Sequence, residues 1–193
     1  MGNPFFDLSI VRNFLDKEVC HKLIAEMRQS STMPALTYGK GDPAVDEHVR
    51  RVRQVSISPQ TLSFVERRLE VQRESIAERF GTKLTSFEEP QFLIYRAGDF
   101  FVAHQDGNTG LIQLESDRAR RVSVSIFLNS QSAVAAPETY CGGALVFSDW
   151  RKGARQEVFG QAGMLVAFRS ETTHEVTPVT HGERYSIVSW YRQ

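Results

Sequence analysis

The chain has 193 residues, of which 41% are hydrophobic and 24% are charged, a composition that excludes wholesale disorder and suits one globular domain. Lysine plus arginine equals aspartate plus glutamate at 23 each, so the zero net charge argues against nucleic acid or an anionic membrane as the main partner. No apolar run approaches the length of a membrane span and no signal pattern opens the chain, so we expect a cytoplasmic protein with Cys20 and Cys141 as reduced thiols.

Residues 1–83 are predicted to form a helical support region. A first helix has Asp16 as its candidate N-cap, and four apolar residues share one of its faces: Val19, Leu23, Ile24 and Met27. A second helix begins at Ser58 and Pro59 and ends before Gly81, with apolar residues near the helical period between them. Arg50, Arg51 and Arg53 are interpreted as a solvated strand edge, with contact to an anionic partner as the alternative.

From about residue 84 onward the apolar residues alternate with the period of a β-strand. Short strands are predicted near 91–96, 100–105, 121–129, 143–147, 155–159, 163–168, 173–179 and 183–191. The intervening stretches 107–120, 130–142 and 148–153 are predicted loops. Because many short strands are typical of a sandwich, jelly roll or barrel, and no linker interrupts them, we expect one domain over residues 1–193 with a β core at 84–193.

Two of these strands depart from a simple alternation of one polar and one apolar face. In 121–129 the mixed face carries Ser123, Ser125 and Phe127, and in 183–191 it carries Arg184, Ser186 and Trp190. Such a face is either exposed to solvent or lines a barrel that holds a polar ligand, and the pattern alone does not decide between them.

The segment that carries chemistry contains His104 and Asp106. Residues two apart on an extended strand point to the same side, so this imidazole and carboxylate can reach one metal ion. A third ligand must come from elsewhere, and His174 on a later strand is the best candidate. Two histidines and one carboxylate on one side of a metal form the facial triad of non-haem Fe(II) oxygenases, which leaves positions open for a cosubstrate and O2.

Arg184 follows His174 by ten residues, on the next predicted strand. A guanidinium matches a carboxylate in a two-point contact, and an arginine buried near a metal implies an anion beside it. The alternative is an arginine exposed at a strand end.

The stretch from about residue 91 to the C-terminus resembles the prolyl 4-hydroxylase-like group of 2-oxoglutarate and Fe(II)-dependent dioxygenases. The resemblance rests on order and spacing: Tyr95, Gly98, Phe101, His104-x-Asp106, Phe127-Leu128-Asn129, Gly142-Gly143, Phe147, Gly163, Phe168, His174, Val179, Gly182, Arg184 and Trp190. The run from Phe14 to Met27 is also similar to the lead-in helix of that family.

The resemblance implies a mainly β fold with flanking α structure, a double-stranded β-helix (jelly roll) braced by N-terminal helices. His104, Asp106 and His174 would bind Fe(II). Arg184 would pair with the distal carboxylate of 2-oxoglutarate, with Tyr95 and Ser186 as further hydrogen-bonding residues. O2 and 2-oxoglutarate would be converted to succinate and CO2 as a C–H bond is hydroxylated, and ascorbate is implied by family analogy.

The resemblance also bears on the substrate, which is expected to be a peptidyl proline, a protein or a small amino-acid-like molecule. Related halogenases have a small residue where this chain keeps Asp106, so hydroxylation is favoured. Many relatives have lysine where this chain has Arg184, and Glu-Thr where it has Ala144-Leu145. Arg96 and Trp190 are weaker candidates for substrate contact.

Two other functions stay open. Zn(II) also accepts two histidines and a carboxylate, so a zinc-dependent hydrolase fits the ligand set but gives Arg184 no role. A non-catalytic cupin-like binding module would keep the barrel without turnover. The sequence makes no prediction of the oligomeric state.

Overall fold

The two long helices lie in the first 80 residues and most of the strands follow them, as the sequence predicts. The structure is a computed structural model that describes residues 6–36, 45–107, 109 and 115–193. Its helices are α1 (Lys17–Gln29), α2 (Pro59–Phe80) and the short α3 (Glu115–Arg118). Its strands are β1 (Leu8–Val11), β2 (Thr32–Pro34), β3 (Arg50–Arg51), β4 (Arg53–Val55), β5 (Ser86–Phe87), β6 (Gln91–Tyr95), β7 (Phe100–His104), β8 (Arg120–Phe127), β9 (Ser130–Gln131), β10 (Thr139–Gly142), β11 (Leu145–Asp149), β12 (Ala154–Val158), β13 (Leu165–Arg169), β14 (His174–Val176), β15 (Val179–His181) and β16 (Arg184–Arg192).

The two long helices begin and end where their capping residues predict. The Asp16 carboxylate accepts a hydrogen bond from the backbone N–H of Val19, and the Ser58 hydroxyl accepts one from that of Thr61. Gly81 ends α2 in the left-handed conformation, with φ at 58°, which glycine adopts without steric cost. Both predicted helices are confirmed.

Within the described residues the strands form two large sheets and one small sheet. The larger sheet has the order β1-β13-β8-β16-β6-β4-β2, with β5 paired to β16, and the second has the order β12-β11-β14-β7-β3. The small sheet is β15-β10-β9. Apolar side chains from both large sheets pack together between them, including Phe127 and Phe168 from the larger sheet and Phe147 from the second. This arrangement confirms the predicted jelly roll braced by helices.

The larger sheet packs its outer face against α1 and α2. Helix residues and outward-facing strand residues form one buried cluster that includes Cys20, Met27, Leu69, Ile76, Val124, Ile126, Ile187 and Tyr191. The mixed faces of β8 and β16 therefore point inward, between the two sheets. Ser123, Ser125, Arg184 and Ser186 are all buried there, so the solvent-exposed interpretation of these faces is wrong.

The predicted strands from residue 91 onward match the observed strands, with ends that differ by about two residues, as helix and strand ends commonly do. The predicted strand 173–179 is divided into β14 and β15 at Thr177 and Pro178, because proline lacks the N–H that a sheet ladder requires. Three further predictions need correction. Residues 1–83 contribute β1 to β4 as well as helices, the predicted loop 107–120 contains α3, and the predicted loop 130–142 contains β9 and β10.

The arginine-rich stretch 50–53 is only partly a solvated edge. Arg51 is exposed, but Arg50 is 8% exposed, with its guanidinium 4.9 Å from the centroid of the Phe101 ring. Its Nη1 also donates to the carbonyl of Leu36. Arg50 is buried because β3 pairs with β7, which brings Phe101 opposite to it. Across the described ranges, no helix combines the length and apolarity needed to cross a membrane.

Candidate active site

The three predicted metal ligands meet at one end of the space between the sheets. His104 is the last residue of β7 and His174 the first of β14, and the antiparallel register places these two residues directly opposite each other. Asp106 follows β7 by two residues, and its backbone N–H donates to the carbonyl of Ser170 in the segment that leads into β14. The sheet pairing therefore brings residues from distant parts of the sequence together.

The side chains of these residues converge on one point. The Asp106 carboxylate oxygens lie 3.4 Å from His104 Nε2 and 3.5 Å from His174 Nε2. One ligand atom from each of the three residues lies within 4.8 Å of the others, a spacing that suits coordination of a single ion. Two imidazole nitrogens and one carboxylate are the donor set of a facial triad, so these residues fit Fe(II).

Each imidazole is held in the tautomer that a metal ligand needs. His104 Nδ1 lies 2.8 Å from the carbonyl oxygen of Val102, and His174 Nδ1 lies 2.9 Å from that of Thr172. A carbonyl only accepts, so Nδ1 carries the proton and Nε2 keeps its lone pair for a metal. The local backbone therefore orients both histidines before any ion binds.

The electrostatics favour the metal-binding forms of the acid and the buried histidine. Burial by itself would raise the pKa of Asp106, but the charges of His174 and His104 and the hydroxyl of Ser123 hold it well below its usual range. Burial lowers the pKa of His174 to about 4, although Asp106 opposes that shift. At neutral pH the site therefore presents a carboxylate and a neutral imidazole, the forms that coordinate metal.

Aromatic rings surround the histidines. Phe101 stacks on His104 with ring centroids 3.6 Å apart, and Phe168 lies edge-on to His174 at 4.6 Å. Phe147 is the third neighbour, 6.2 Å from His174. These rings fix the imidazoles and make the surroundings of the candidate metal centre apolar.

Arg184 lies further along the same inner face, in a second buried pocket. It is 1% exposed, and its Nη1 donates to the hydroxyl of Ser186 at 2.8 Å. Its guanidinium carbon lies 5.0 Å from the ring centroid of Tyr95 and 4.9 Å from that of Phe127. The structure thus brings Arg184, Ser186 and Tyr95 together, as the sequence predicts.

The Arg184 pocket lacks an anion among the described residues. Arg184 has no salt-bridge partner there, and its buried Nε has no hydrogen-bond partner of normal geometry, although the uncharged Tyr140 hydroxyl lies close to the guanidinium. Buried charges are normally paired, so an unpaired guanidinium nitrogen indicates a bound anion. The carboxylate of 2-oxoglutarate fits this requirement.

Tyr140 belongs to the same pocket, and sequence analysis did not single it out. It lies on β10 and is fully buried, and its hydroxyl lies close enough to the Arg184 guanidinium to interact with it. Because residues 130–142 are predicted to form a loop, the sequence pattern does not assign the Tyr140 side chain to a face of any strand. A tyrosine directly before the Cys141-Gly142-Gly143 motif was the available signal.

Trp190 and Arg120 connect the inner face to the metal ligands. Trp190 is 8% exposed and pairs across the sheet with Ser123, next to Asp106. The guanidinium of Arg120 lies 4.1 Å from the Trp190 ring centroid, and its Nη1 donates to the Asp106 carbonyl at 3.1 Å. A bidentate contact with Glu88 holds Arg120 in place. Arg120 was not predicted, because its partners are distant in sequence.

The structure does not bring Arg96 to the metal ligands. Its side chain is 59% exposed and its Nε lies 3.2 Å from the Glu183 carboxylate, at the end of β6. The remaining histidines, His21, His48 and His181, are all exposed. A substrate contact by Arg96 stays a prediction.

A jelly roll with two histidines and an aspartate between its sheets defines a class of metal-dependent oxygenases. Residues 90–192 match the family model of the 2OG-Fe(II) oxygenase superfamily, which is about half of the chain. The chain belongs to the 2OG-Fe(II) oxygenase superfamily, whose members use Fe(II), 2-oxoglutarate and O2. The family resemblance seen in the sequence is confirmed.

Individual relatives agree with this family. A PKHD-type hydroxylase of Hyphomonas neptunium is 29% identical over 189 residues, which are 94% of this chain and 76% of the relative. A PKHD-type hydroxylase of Shewanella sp. strain MR-7 is 36% identical over 104 residues, which are 54% of this chain. This alignment spans 42% of the Shewanella protein, so the chain matches less than half the length of that relative.

Solved structures resemble the whole described fold. A prolyl-4-hydroxylase of Pseudomonas putida is similar with a TM-score of 0.73 and 26% identity, covering 98% of this chain and 94% of its own. A prolyl hydroxylase of Trichoplax adhaerens, in complex with a peptide of the oxygen degradation domain of hypoxia inducible factor, has a TM-score of 0.70 and 19% identity. It covers 97% of this chain and 84% of its own, and at this identity it supports the fold alone.

Proposed function

We propose that this chain is a hydroxylase that couples conversion of 2-oxoglutarate and O2 to succinate and CO2 with hydroxylation of an unactivated C–H bond. The proposed substrate is a prolyl residue or another amino-acid-like group. One observation carries the proposal: a single buried face presents a facial triad at one end and, at the other, a guanidinium with no counter-charge in the part of the chain that the structure describes. A chelating 2-oxo acid with a distal carboxylate has the chemistry to bridge both ends.

The residues have distinct roles in this proposal. His104 and His174 bind Fe(II) through Nε2 and Asp106 binds it through its carboxylate. Arg184 pairs with the distal carboxylate of 2-oxoglutarate. The Ser186 hydroxyl accepts from Arg184, so its own proton is free to be donated to the same carboxylate. Bound Fe(II), with its cosubstrates, supplies the oxidising chemistry.

The rest of the pocket excludes water and supports the ligands. Phe101, Phe147 and Phe168 enclose the histidines with apolar surface, which limits loss of oxidising equivalents to solvent. Trp190 lies on the inner face beside Ser123, where it can contact a substrate next to the metal ligands. Tyr95 stays a predicted hydrogen-bonding residue, and a role for ascorbate stays a prediction.

The relatives support the choice of substrate class. The Pseudomonas putida protein, at 26% identity over nearly the whole chain, is a prolyl-4-hydroxylase, and the matched curated relatives are PKHD-type hydroxylases. Apolar Ala144 and Leu145, both buried, stand where many relatives of the prolyl hydroxylase group have Glu-Thr. The screen for substrates therefore includes prolyl peptides and free amino acids.

The first test is anaerobic addition of Fe(II) and 2-oxoglutarate to the metal-free protein, followed by the visible spectrum. We expect a weak charge-transfer band that requires both components and disappears in His174→Ala. His181→Ala is the matched control, because His181 is exposed and should leave the band unchanged. With O2 and a substrate added, succinate should form in proportion to the hydroxylated product.

The alternatives give different results in the same experiment. Tight zinc binding with hydrolysis that needs neither O2 nor 2-oxoglutarate would replace the proposal with a hydrolase. A charge-transfer band without any succinate, over the full screen of substrates, would indicate a binding module instead.

A further inference from the structure

The residue between the first two candidate metal ligands joins two separate segments of the chain. Gln105 Nε2 donates to the carbonyl of Glu171 at 2.7 Å and to the hydroxyl of Thr173 at 3.3 Å. The amide nitrogen must face the Glu171 carbonyl, because a carbonyl oxygen only accepts hydrogen bonds. Gln105 directly follows His104, and Thr173 directly precedes His174. One side chain therefore links the segment that carries the first two ligands to the turn that leads into the third.

The sheet ladder alone does not fix the distance between these segments. In the pairing of β7 with β14, His104 lies opposite His174 and Phe101 lies opposite Val176. Between these two pairs β7 advances by three residues and β14 by two, so β7 carries a bulge beside the ligands. Because a bulge disrupts the regular ladder, the spacing of the two histidines depends on contacts beyond the paired strands.

Backbone contacts supply part of this link. The N–H groups of Asp106 and Gly107 both donate to the carbonyl of Ser170, at 2.9 and 3.1 Å. They hold the start of the turn at residues 170–173, between β13 and β14. Gln105 reaches the far end of the same turn, next to the third ligand. Together these contacts hold both ends of the turn against the segment that carries the first two ligands.

The hydrogen bonds of the histidine rings do not set this spacing. His104 Nδ1 contacts the carbonyl of Val102, and His174 Nδ1 contacts that of Thr172, so each ring is oriented within its own segment. These contacts fix the direction of each ring but not the distance between the segments. Metal–ligand distances in protein sites stay within about 0.2 Å of their usual values. Metal affinity is therefore sensitive to the contacts that join the two segments.

We propose that Gln105 is a positioning residue for the candidate metal centre, because its carboxamide ties the turn before His174 to the segment that carries His104 and Asp106. Its nitrogen is engaged by the Glu171 carbonyl, so Gln105 acts through the backbone and is not itself a metal ligand. This role rests on the proposed function, since it supports the metal that the proposed reaction needs.

The test uses Gln105→Met, which keeps the length of the side chain and removes the donor. Gln105→Asn is a second variant, which keeps a carboxamide but shortens its reach by a methylene group. Affinity is measured by calorimetric titration of the metal-free proteins with Ni(II), without 2-oxoglutarate or turnover. Loss of a residue that supports metal ligands weakens metal binding about 10- to 100-fold, and we expect about a tenfold loss in both variants. The visible spectrum of the Co(II) protein should also shift, because the ligand spacing changes.

Gln161→Met is the matched control. Gln161 is exposed, and its Oε1 accepts a hydrogen bond from Arg12 Nη1 at 2.8 Å. We expect this variant to keep the Ni(II) affinity and the Co(II) spectrum of the unsubstituted protein. A purely structural role for Gln105 predicts a lower urea midpoint of the metal-free protein, with unchanged metal affinity of the folded protein.

The outcomes separate the role of Gln105 from the proposed function. If the unsubstituted protein binds neither Ni(II) nor Fe(II), the proposed function fails first. If it binds metal, full affinity in either folded variant refutes only the role of Gln105, because neither variant can donate to Glu171. Weaker binding with an unchanged Co(II) spectrum would refute it as well, since the three ligands would then have kept their spacing.

Discussion

The two faces of β8 and β16 differ in composition and in what they contribute. The outer face carries Val124, Ile126 and Ile187, which pack against the helices in the largest apolar cluster. The inner face of the same strands carries Ser123, Ser125 and Arg184, all buried, with polar groups aimed between the sheets. One strand can therefore supply stability on one side and binding groups on the other, because successive side chains alternate.

Polar groups that are buried without a protein counter-charge are evidence for a bound ligand on that face. The outer face gains free energy from removing apolar area from water. The inner face gives up part of that gain by burying hydroxyls and a guanidinium that has no counter-charge among the described residues. Substitutions on the outer face should change stability, and substitutions on the inner face should change ligand affinity.

The largest expected effect is on the inner face, at Asp106. Asp106→Ala removes the only carboxylate of the candidate triad, so we expect at least about a hundredfold weaker Fe(II) binding and loss of succinate formation. Binding is measured by anaerobic titration or with Ni(II) by calorimetry. Glu175→Ala is the matched control, since Glu175 follows His174 but points away and lies near Arg155. Full hydroxylation by Asp106→Ala would falsify the triad assignment.

The next effect is on the outer face. Ile126 is fully buried in the helix-facing cluster, so Ile126→Ala should lower the free energy of unfolding by about 2–5 kcal/mol. Its neighbour Ser125 lies on the inner face, and Ser125→Ala should change that free energy by less than about 1 kcal/mol. Equilibrium unfolding in urea measures both.

Metal affinity of the folded Ile126→Ala protein should match that of the unsubstituted protein. A large loss of metal affinity in this variant, or a large loss of stability in Ser125→Ala, would contradict the division of the strand into two functions.

A third effect separates the two ends of the inner face. Arg184→Ala should weaken 2-oxoglutarate binding about 10- to 100-fold, because a charge-assisted contact is lost, while Fe(II) affinity changes little. Arg155→Ala is the control, since Arg155 is 55% exposed at the edge of the second sheet. Unaltered 2-oxoglutarate dependence in Arg184→Ala would remove Arg184 from the site.

Part of the inner face can be predicted from the sequence. Metal ligands two residues apart in an extended segment, and a strand face mixing Arg184 with Ser186, are local patterns that the sequence alone shows. The sequence does not show whether those faces point inward or outward, because side chains alternate in the same way whether the mixed face meets solvent or a second sheet.

Features that depend on distant pairing escaped prediction. β1 is a four-residue strand whose partner β13 lies more than a hundred residues later, and no local pattern records such a pairing. Arg120 also lacked a local signal, because its position is meaningful only beside Asp106. Sequence spacing found the ligands, and the fold was needed to find the residues around them.

The smallest expected effect concerns pH and the metal-free protein. Burial lowers the pKa of His174 from 6.5 to about 4, so between these values the unfolded chain binds a proton that the folded chain does not. Stability should therefore fall as the pH drops from about 6.5 to about 4, by about 1–3 kcal/mol from this residue. The depressed pKa of Asp106 acts in the same direction, but only below its ordinary value of 3.8.

Urea unfolding of the metal-free protein at several pH values measures this slope. His174→Gln keeps a neutral side chain at all these pH values, so its stability should fall less steeply between pH 6.5 and 4. His181→Gln, at an exposed position, should keep the original slope. If the free energy of unfolding depended on pH equally steeply in all three proteins, burial would not hold His174 neutral. The inner face would then be more accessible to water than the structure indicates.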